Sequence, residues 1–251
     1  SEDDDTIRLS GKKDFGITES AIRIGAIPPA GPERTLILGW NWRAPGIVSG
    51  LDAYVAPGSI VRILAECENG RAQLDHQCAG LKNVAYEYTT GDTTDRRTIE
   101  EIDPRSFNHI IILCGDALDQ QKADCRVLVT LLHLRDMAEQ QKCEFSIVSE
   151  ILDVRNRALA EVTKADDFIV SHKLVSLMLS QISENKELHA VLTDLFDPEG
   201  SEIYVKPATN YVATGQPVNF HTVVAAARRR GEIAIGYKTF ALRRDASKSY
   251  G

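Results

Sequence analysis

Arg34-Thr35-Leu36-Ile37-Leu38-Gly39-Trp40-Asn41-Trp42-Arg43-Ala44 runs from an apolar segment into a glycine turn and on toward a helix. A strand covered on both faces reads as an unbroken apolar run, as parallel sheets require. A glycine closing such a strand just before a helix is the context of a dinucleotide-binding turn. Gly39 supplies the tight turn. Asn41 stands where a second glycine would let the backbone approach a pyrophosphate, and Ala44 where helix and strand must pack closely. Asparagine tolerates left-handed backbone, so Asn41 is expected to keep the turn while its side chain crowds a diphosphate. Trp40 and Trp42 add bulk, and one of them is expected in the core. Arg43 is placed to meet a phosphate or a carboxylate.

Outward from this stretch, strands and helices alternate. A helix is expected over Gly46–Val55 with Pro45 near its first turn, then a strand at Ser59–Ala65 after the Pro57-Gly58 turn. A helix at Gln73–Gly80, a strand at Val84–Tyr88 and a helix at Arg97–Ile102 follow, the last stopped by Asp103-Pro104. His109–Cys114 reads as the clearest buried strand. Gln120–Gln141 reads as a long amphipathic helix with a stripe of Val127, Leu128, Leu131, Leu132, Leu134 and Met137. Strands at Glu144–Ser149 and Asp167–Val170 and helices at Arg155–Ala160 and Leu174–Ser183 complete the series. The order predicts an α/β fold, a Rossmann-like doubly wound parallel sheet over 34–185. A small α+β lobe is expected over 186–251. It holds helices at Leu188–Phe196 and Asn219–Arg230 and strands at Ser201–Pro207 and Glu232–Tyr237. Residues 1–33 read as leader and linker, with a short strand in Ala21–Gly25 before the break at Pro28-Pro29-Ala30-Gly31-Pro32.

The 251 residues suffice for one large domain or two smaller ones, and the 43% hydrophobic and 26% charged content is that of a globular chain. A net charge of −7, with only short basic runs at Arg228–Arg230 and Arg243-Arg244, argues against a nucleic-acid partner. Those runs read as solvated. The five cysteines form no CxxC and no zinc spacing, which suggests reduced, buried thiols. No stretch approaches the roughly 20 apolar residues that span a bilayer, and no signal peptide opens the chain. The piece is therefore expected to be soluble, whether or not it was cut from a longer membrane protein.

Three acids join the turn as candidate ligand-binding residues. Glu66 ends the second strand, 22 residues after Ala44, where an acid would hold ribose hydroxyls in an NAD site. Asp92 and Asp116 follow strands at the carboxyl edge, where doubly wound sheets bind ligands. Their plainer roles are to cap the next helix and the long helix. The candidate set is thus Gly39, Asn41, Arg43, Glu66, Asp92 and Asp116. No catalytic set appears. The six histidines are scattered, and GxSxG, HExxH and Walker loops are absent. The missing catalytic set permits a ligand-sensing module, not an enzyme, without requiring one. The alternative is an NAD-dependent oxidoreductase with a degenerate fingerprint.

Leu38-Gly39-Trp40 with Arg43, Val55-Ala56-Pro57-Gly58-Ser59, Gly91-Asp92 before a short helix and Glu232-Ile233-Ala234-Ile235-Gly236-Tyr237 carry a resemblance. They resemble the RCK domains that regulate potassium conductance, and more closely the CASTOR/POLLUX ion channel family and its bacterial relatives. The resemblance covers about Thr35 to Phe240. It implies a Rossmann lobe, a crossover helix and a second lobe, on the cytoplasmic side of a membrane. It implies a homo-oligomer, a dimer or a ring, beneath a transmembrane pore domain of the same full-length chain. It also implies Ca²⁺ or a nucleotide (NAD or an adenine nucleotide) as ligand. No EF-hand spacing exists, so no metal ligands are named. Asn41, in the place of a glycine, departs from the nucleotide-binding relatives.

Overall fold

A computed structural model of the chain describes residues 11–25, 31–156, 167–198 and 200–239. The described residues fall into two units, one over 31–202 and the other combining 11–25 with 203–239.

The first unit is built on a parallel six-stranded sheet of order β3-β2-β1-β4-β5-β6. Its strands are β1 (Arg34–Leu38), β2 (Ser59–Ala65), β3 (Val84–Thr90), β4 (His109–Ile112), β5 (Ile147–Ile151) and β6 (Asp167–Val170). The helices between them are α1 (Ala44–Tyr54), α2 (Gly70–Gln77), α3 (Arg96–Ile102) and α4 (Gln120–Gln141). This is the doubly wound order expected from the alternation. The pleat explains why β1 is apolar throughout. Leu36 and Leu38 point to one face, against Ile99, Val127, Leu131 and Leu134. Ile37 points to the other, against Ala44, Val48 and Leu74. Winding reverses between β1 and β4, which pair Leu38 with Ile112 at their carboxyl ends, and a cleft opens there.

The long helix α4 begins at an N-cap, Asp119, which accepts from the Lys122 N–H at 3.0 Å. It ends at Lys142 in left-handed geometry. Val127, Leu131, Leu134 and Met137 are buried at three- and four-residue spacing, whereas Leu132 is exposed. Leu132 therefore lies off the stripe it was assigned to. β5 sits later than expected because its register is fixed by Ile110 pairing with Ile147. Of Arg155–Ala160, only 155–156 are described, within a 3-10 turn, Val154–Asn156. The remainder lies outside the described residues, as do Pro28-Pro29-Ala30 and Arg243-Arg244.

Asp52 ties α1 to the start of β3. Its carboxylate accepts from the N–H groups of Lys82, Asn83 and Val84 at 3.0, 2.7 and 2.8 Å. Burial alone would raise its pKa, but these donors outweigh it and hold the carboxyl below the usual range. The stability this adds is present above the unfolded pKa, about 3.9. It is lost as pH falls through the depressed folded value. Asp52→Ala is expected to lower the urea midpoint at pH 7, and the gap to the wild type to close as pH falls through the depressed folded value. Parallel curves across that range would contradict this role.

After β6 come α5 (Ser171–Glu184) and α6 (Leu188–Phe196). In the second unit, α7 (Phe220–Arg228) is capped by Asn219, whose Oδ1 accepts from the Thr222 N–H at 2.9 Å. The segment read as a leader belongs to this unit. Arg23 N–H donates to Tyr211 O at 2.8 Å, and Ala213 N–H to Ala21 O at 2.8 Å. In place of a strand at Ala21–Gly25 there is a single antiparallel bridge, Ile22 to Val212. The segments Ser201–Pro207 and Glu232–Tyr237 are in no sheet among the described residues. They alternate as strands do, but Ile203, Val205, Ile233 and Ile235 are exposed and find no ladder partner there. The basic run is not all solvated. The Arg230 guanidinium donates to the carbonyls of Gly25 and Asn210 at 2.8 and 2.6 Å.

Candidate functional site

Gly39 makes the turn at the end of β1 with φ +95°, a conformation that favours glycine. A β-carbon there would lie 2.4 Å from the carbonyl oxygen of Leu113. The chain leaving β1 therefore passes against the end of β4. Ala44 is fully buried at the start of α1, as the third fingerprint place requires.

Asn41 keeps the turn by a different means from that expected. Among the described residues only Asp103 and Lys142 are non-glycine residues with positive φ. The Asn41 side chain is buried instead, and its Nδ2 donates to Cys114 O at 2.9 Å and to Glu150 Oε2 at 3.0 Å. Its Oδ1 accepts from the Arg43 N–H at 3.0 Å. Glu150, near the end of β5, also accepts from the Cys114 N–H at 3.2 Å and pairs with the Arg43 guanidinium. Arg43 thus meets a carboxylate, and the carboxylate is the protein's own.

Asp116 does not cap α4, because that helix starts three residues beyond the reach of a cap at 116. Its Oδ2 accepts from the Trp42 N–H at 2.9 Å. Trp40 packs into the core edge-on to Tyr88, with ring centroids 5.6 Å apart. Trp42 is exposed, with the Arg43 guanidinium 5.3 Å from its ring centre.

Glu66 and Asp92 are joined by one cation that sequence reasoning passed over. Arg126, on α4, pairs with Glu66, and its Nη2 lies 2.6 Å from Asp92 Oδ1. Asp92 is not the cap of α3. That is Asp95, which accepts from the Arg97 N–H. Asp92 Oδ1 instead accepts from the N–H and hydroxyl of Thr94 at 2.8 and 2.7 Å. Burial would raise the Asp92 pKa, yet the Thr94 and Arg126 bonds prevail and hold it below the usual range.

Some of these residues frame a cleft of about 440 Å³. Gly39, Trp40, Glu66, Cys67, Thr93, Gly115, Asp116, Arg126 and Thr130 are among its walls. Of the candidate residues Asn41, Arg43 and Asp92 lie outside that lining, as does Glu150. Cys114 carries no nucleophile, since burial and then the Glu150 and Asp124 carboxylates push its thiol far above the ordinary range. Cys67, at the cleft, is half-buried; Cys78 is buried and Cys125 exposed, so only part of the cysteine set is enclosed. Among the described residues no three His, Cys, Asp or Glu side chains gather as a metal ion would need. Among them, too, no helix is long and apolar enough to cross a membrane.

No protein-family model matches the chain. Similarity to individual proteins is decisive. The chain is 31% identical over 247 residues, 84% of its length, to a probable ion channel CASTOR of Oryza sativa subsp. japonica. It is 31% identical over 256 residues to the ion channel CASTOR of Lotus japonicus, covering 86% of this chain. It is 30% identical over 246 residues to a probable ion channel POLLUX of Arabidopsis thaliana, covering 84%.

The chain belongs to the CASTOR/POLLUX ion channel family.

It spans only 28–30% of the length of these CASTOR and POLLUX relatives. Among solved structures, the human SLO3 gating ring aligns with 55% of this chain and 24% of its own, at 12% identity and a TM-score of 0.39. An NADH-dependent reductase complexed with NAD aligns with 62% of this chain and 74% of its own, at 12% identity and a TM-score of 0.31. Both scores are too low to bear on what the CASTOR/POLLUX chain does.

Proposed function

We propose that this chain is the ligand-sensing regulatory part of a cation channel of the CASTOR/POLLUX family, RCK-like in its action, and not an enzyme. The observation that carries the reading is the cleft at the carboxyl edge of the sheet. There Arg126 on α4 is bonded to Glu66 after β2 and Asp92 after β3, so a ligand seated in the cleft meets a cation that ties α4 to the carboxyl ends of two strands. A ligand moves a gate only by its differential affinity for the two states.

Oligomer formation finds support on α5 and α6. Leu174, Val175, Leu177, Leu179, Val191 and Phe196 are exposed there, more apolar surface than lone helices of a monomer usually show. A homo-oligomer, joined to a transmembrane pore domain of the full-length chain at the cytoplasmic face, accounts for them. The oxidoreductase reading finds less support. It needs a proton donor beside the nicotinamide, and no histidine, tyrosine or lysine lines the cleft among the described residues.

The test has two arms. Calorimetric titration with Ca²⁺, NAD(H) and adenine nucleotides is expected to give saturable binding for one of them; Arg126→Ala weakens a nucleotide at least about tenfold, roughly 1.4 kcal/mol, and tightens Ca²⁺, because it frees the Glu66 and Asp92 carboxylates. In the full-length channel that same ligand is expected to change the open fraction, and Arg126→Ala to shift its dose dependence. Absence of binding by every ligand, or binding without effect on current, overturns the reading.

A further inference from the structure

We propose that Asp116 and Glu150 make the turn between β1 and α1 self-liganded, so that the cleft refuses diphosphates and selects ligands that lack one. The proposal concerns the turn alone and stands whether or not the chain gates a pore.

In a fold of this kind a diphosphate lies against the first N–H groups of α1. Here the N–H groups that lead into the helix are spent. The Trp42 N–H is given to Asp116 at 2.9 Å, the Arg43 N–H to Asn41 Oδ1 at 3.0 Å, and the Ala44 N–H to Asn41 O at 3.0 Å. The next residue, Pro45, has no N–H to give. The one cation at the turn, Arg43, is paired with the buried Glu150.

Glu150 is itself held from three directions, by Arg43, Asn41 and the Cys114 N–H. A carboxylate so placed supplies in cis the charge that a bound phosphate would bring. An incoming diphosphate would have to displace Asp116 and would meet Glu150 behind it, and like charges repel strongly out of bulk water. The lining adds to the repulsion, with Glu66, Glu68 and Asp116 against the single guanidinium of Arg126. The ligand this cleft admits is therefore neutral or cationic where it faces the turn.

ADP-ribose tests this, since it carries the diphosphate with no redox group. It is titrated calorimetrically into the chain at low and high salt, with inorganic pyrophosphate alongside. The wild type is expected to show no saturable binding below about 1 mM. Asp116→Ala combined with Glu150→Gln is expected to gain at least about tenfold in affinity, the gain shrinking as salt rises. Asp116 is exposed, so Asp116→Ala alone keeps the fold and carries a smaller gain if the double variant does not fold. A wild type that binds ADP-ribose as tightly as the variants overturns the proposal. So does a folded Asp116→Ala, or a folded double variant, that gains nothing.

Discussion

Gly39→Ala is expected to destabilise the chain by about 2–5 kcal/mol. Left-handed backbone costs an L-residue about 1–2 kcal/mol, and forcing a methyl into filled space costs about 1–3 kcal/mol more. Neither side of the contact can yield cheaply. The Gly39 N–H is bonded to Leu64 O at 2.9 Å, and the Leu113 N–H to Leu38 O at 2.8 Å. Moving Leu113 away would break the link between β1 and β4 at the cleft. Urea unfolding measures the loss, with Gly50→Ala as control. Gly50 lies within α1, and a β-carbon there meets nothing within 4 Å. That variant is expected to gain about 0.5–1 kcal/mol. Equal midpoints for wild type and Gly39→Ala would show that the turn is not built this way.

Asp124→Ala is expected to cost about as much or more, about 3–5 kcal/mol. Asp124 is fully buried at the start of α4. Its carboxylate accepts from the N–H groups of Leu152 and Asp153 at 2.8 and 2.9 Å and from Asn156 Nδ2 at 2.8 Å. It thereby holds the chain that leaves β5. Removing it leaves three half-buried donors without their acceptor, and a stranded buried donor costs about 1–3 kcal/mol. The thiol of Cys114 also donates to Asp124 at 3.5 Å. Loss of this carboxylate removes one of the causes that keep that thiol protonated. Faster labelling of Cys114 by an alkylating reagent in Asp124→Ala is therefore the local readout. An unchanged melting curve with unchanged labelling would mean that Asp124 carries no such load.

These residues also show what the sequence discloses and what it withholds. The apolar run before Gly39 disclosed the central strand, because a strand buried on two faces has nowhere to place a polar side chain. The α4 helix was legible from its apolar spacing, with Leu128 packed against the core and only Leu132 off the stripe. Glu150 escaped notice. A single acid at a strand end looks solvated until the pairing partner fixes which way it points. Arg126 and Asp124 escaped for the same reason, since their partners lie 28 to 60 residues away in the chain. Asp92 and Asp116 were placed at the right edge of the sheet, but their roles as helix caps fell to Asp95 and Asp119. A cap is set by where the helix begins, and sequence patterns locate that only to within a few residues. The alternation in Ser201–Pro207 and Glu232–Tyr237 is real, yet a strand also needs a neighbour, and one chain's sequence does not name it.

The position of β1 in the sheet has a consequence for how the molecule comes into being. The strand made first ends in the middle, with Thr35 beside Val61 on one edge and His109 on the other. During synthesis β2 and β3 emerge early and complete one half. The other edge of β1 stays bare until His109–Ile112 has left the ribosome. A nascent chain that pauses before that point offers an apolar strand with an open edge, ready to pair with the wrong neighbour. Folding of this unit is therefore gated by a distant partner, which makes it slow relative to helical bundles of equal size.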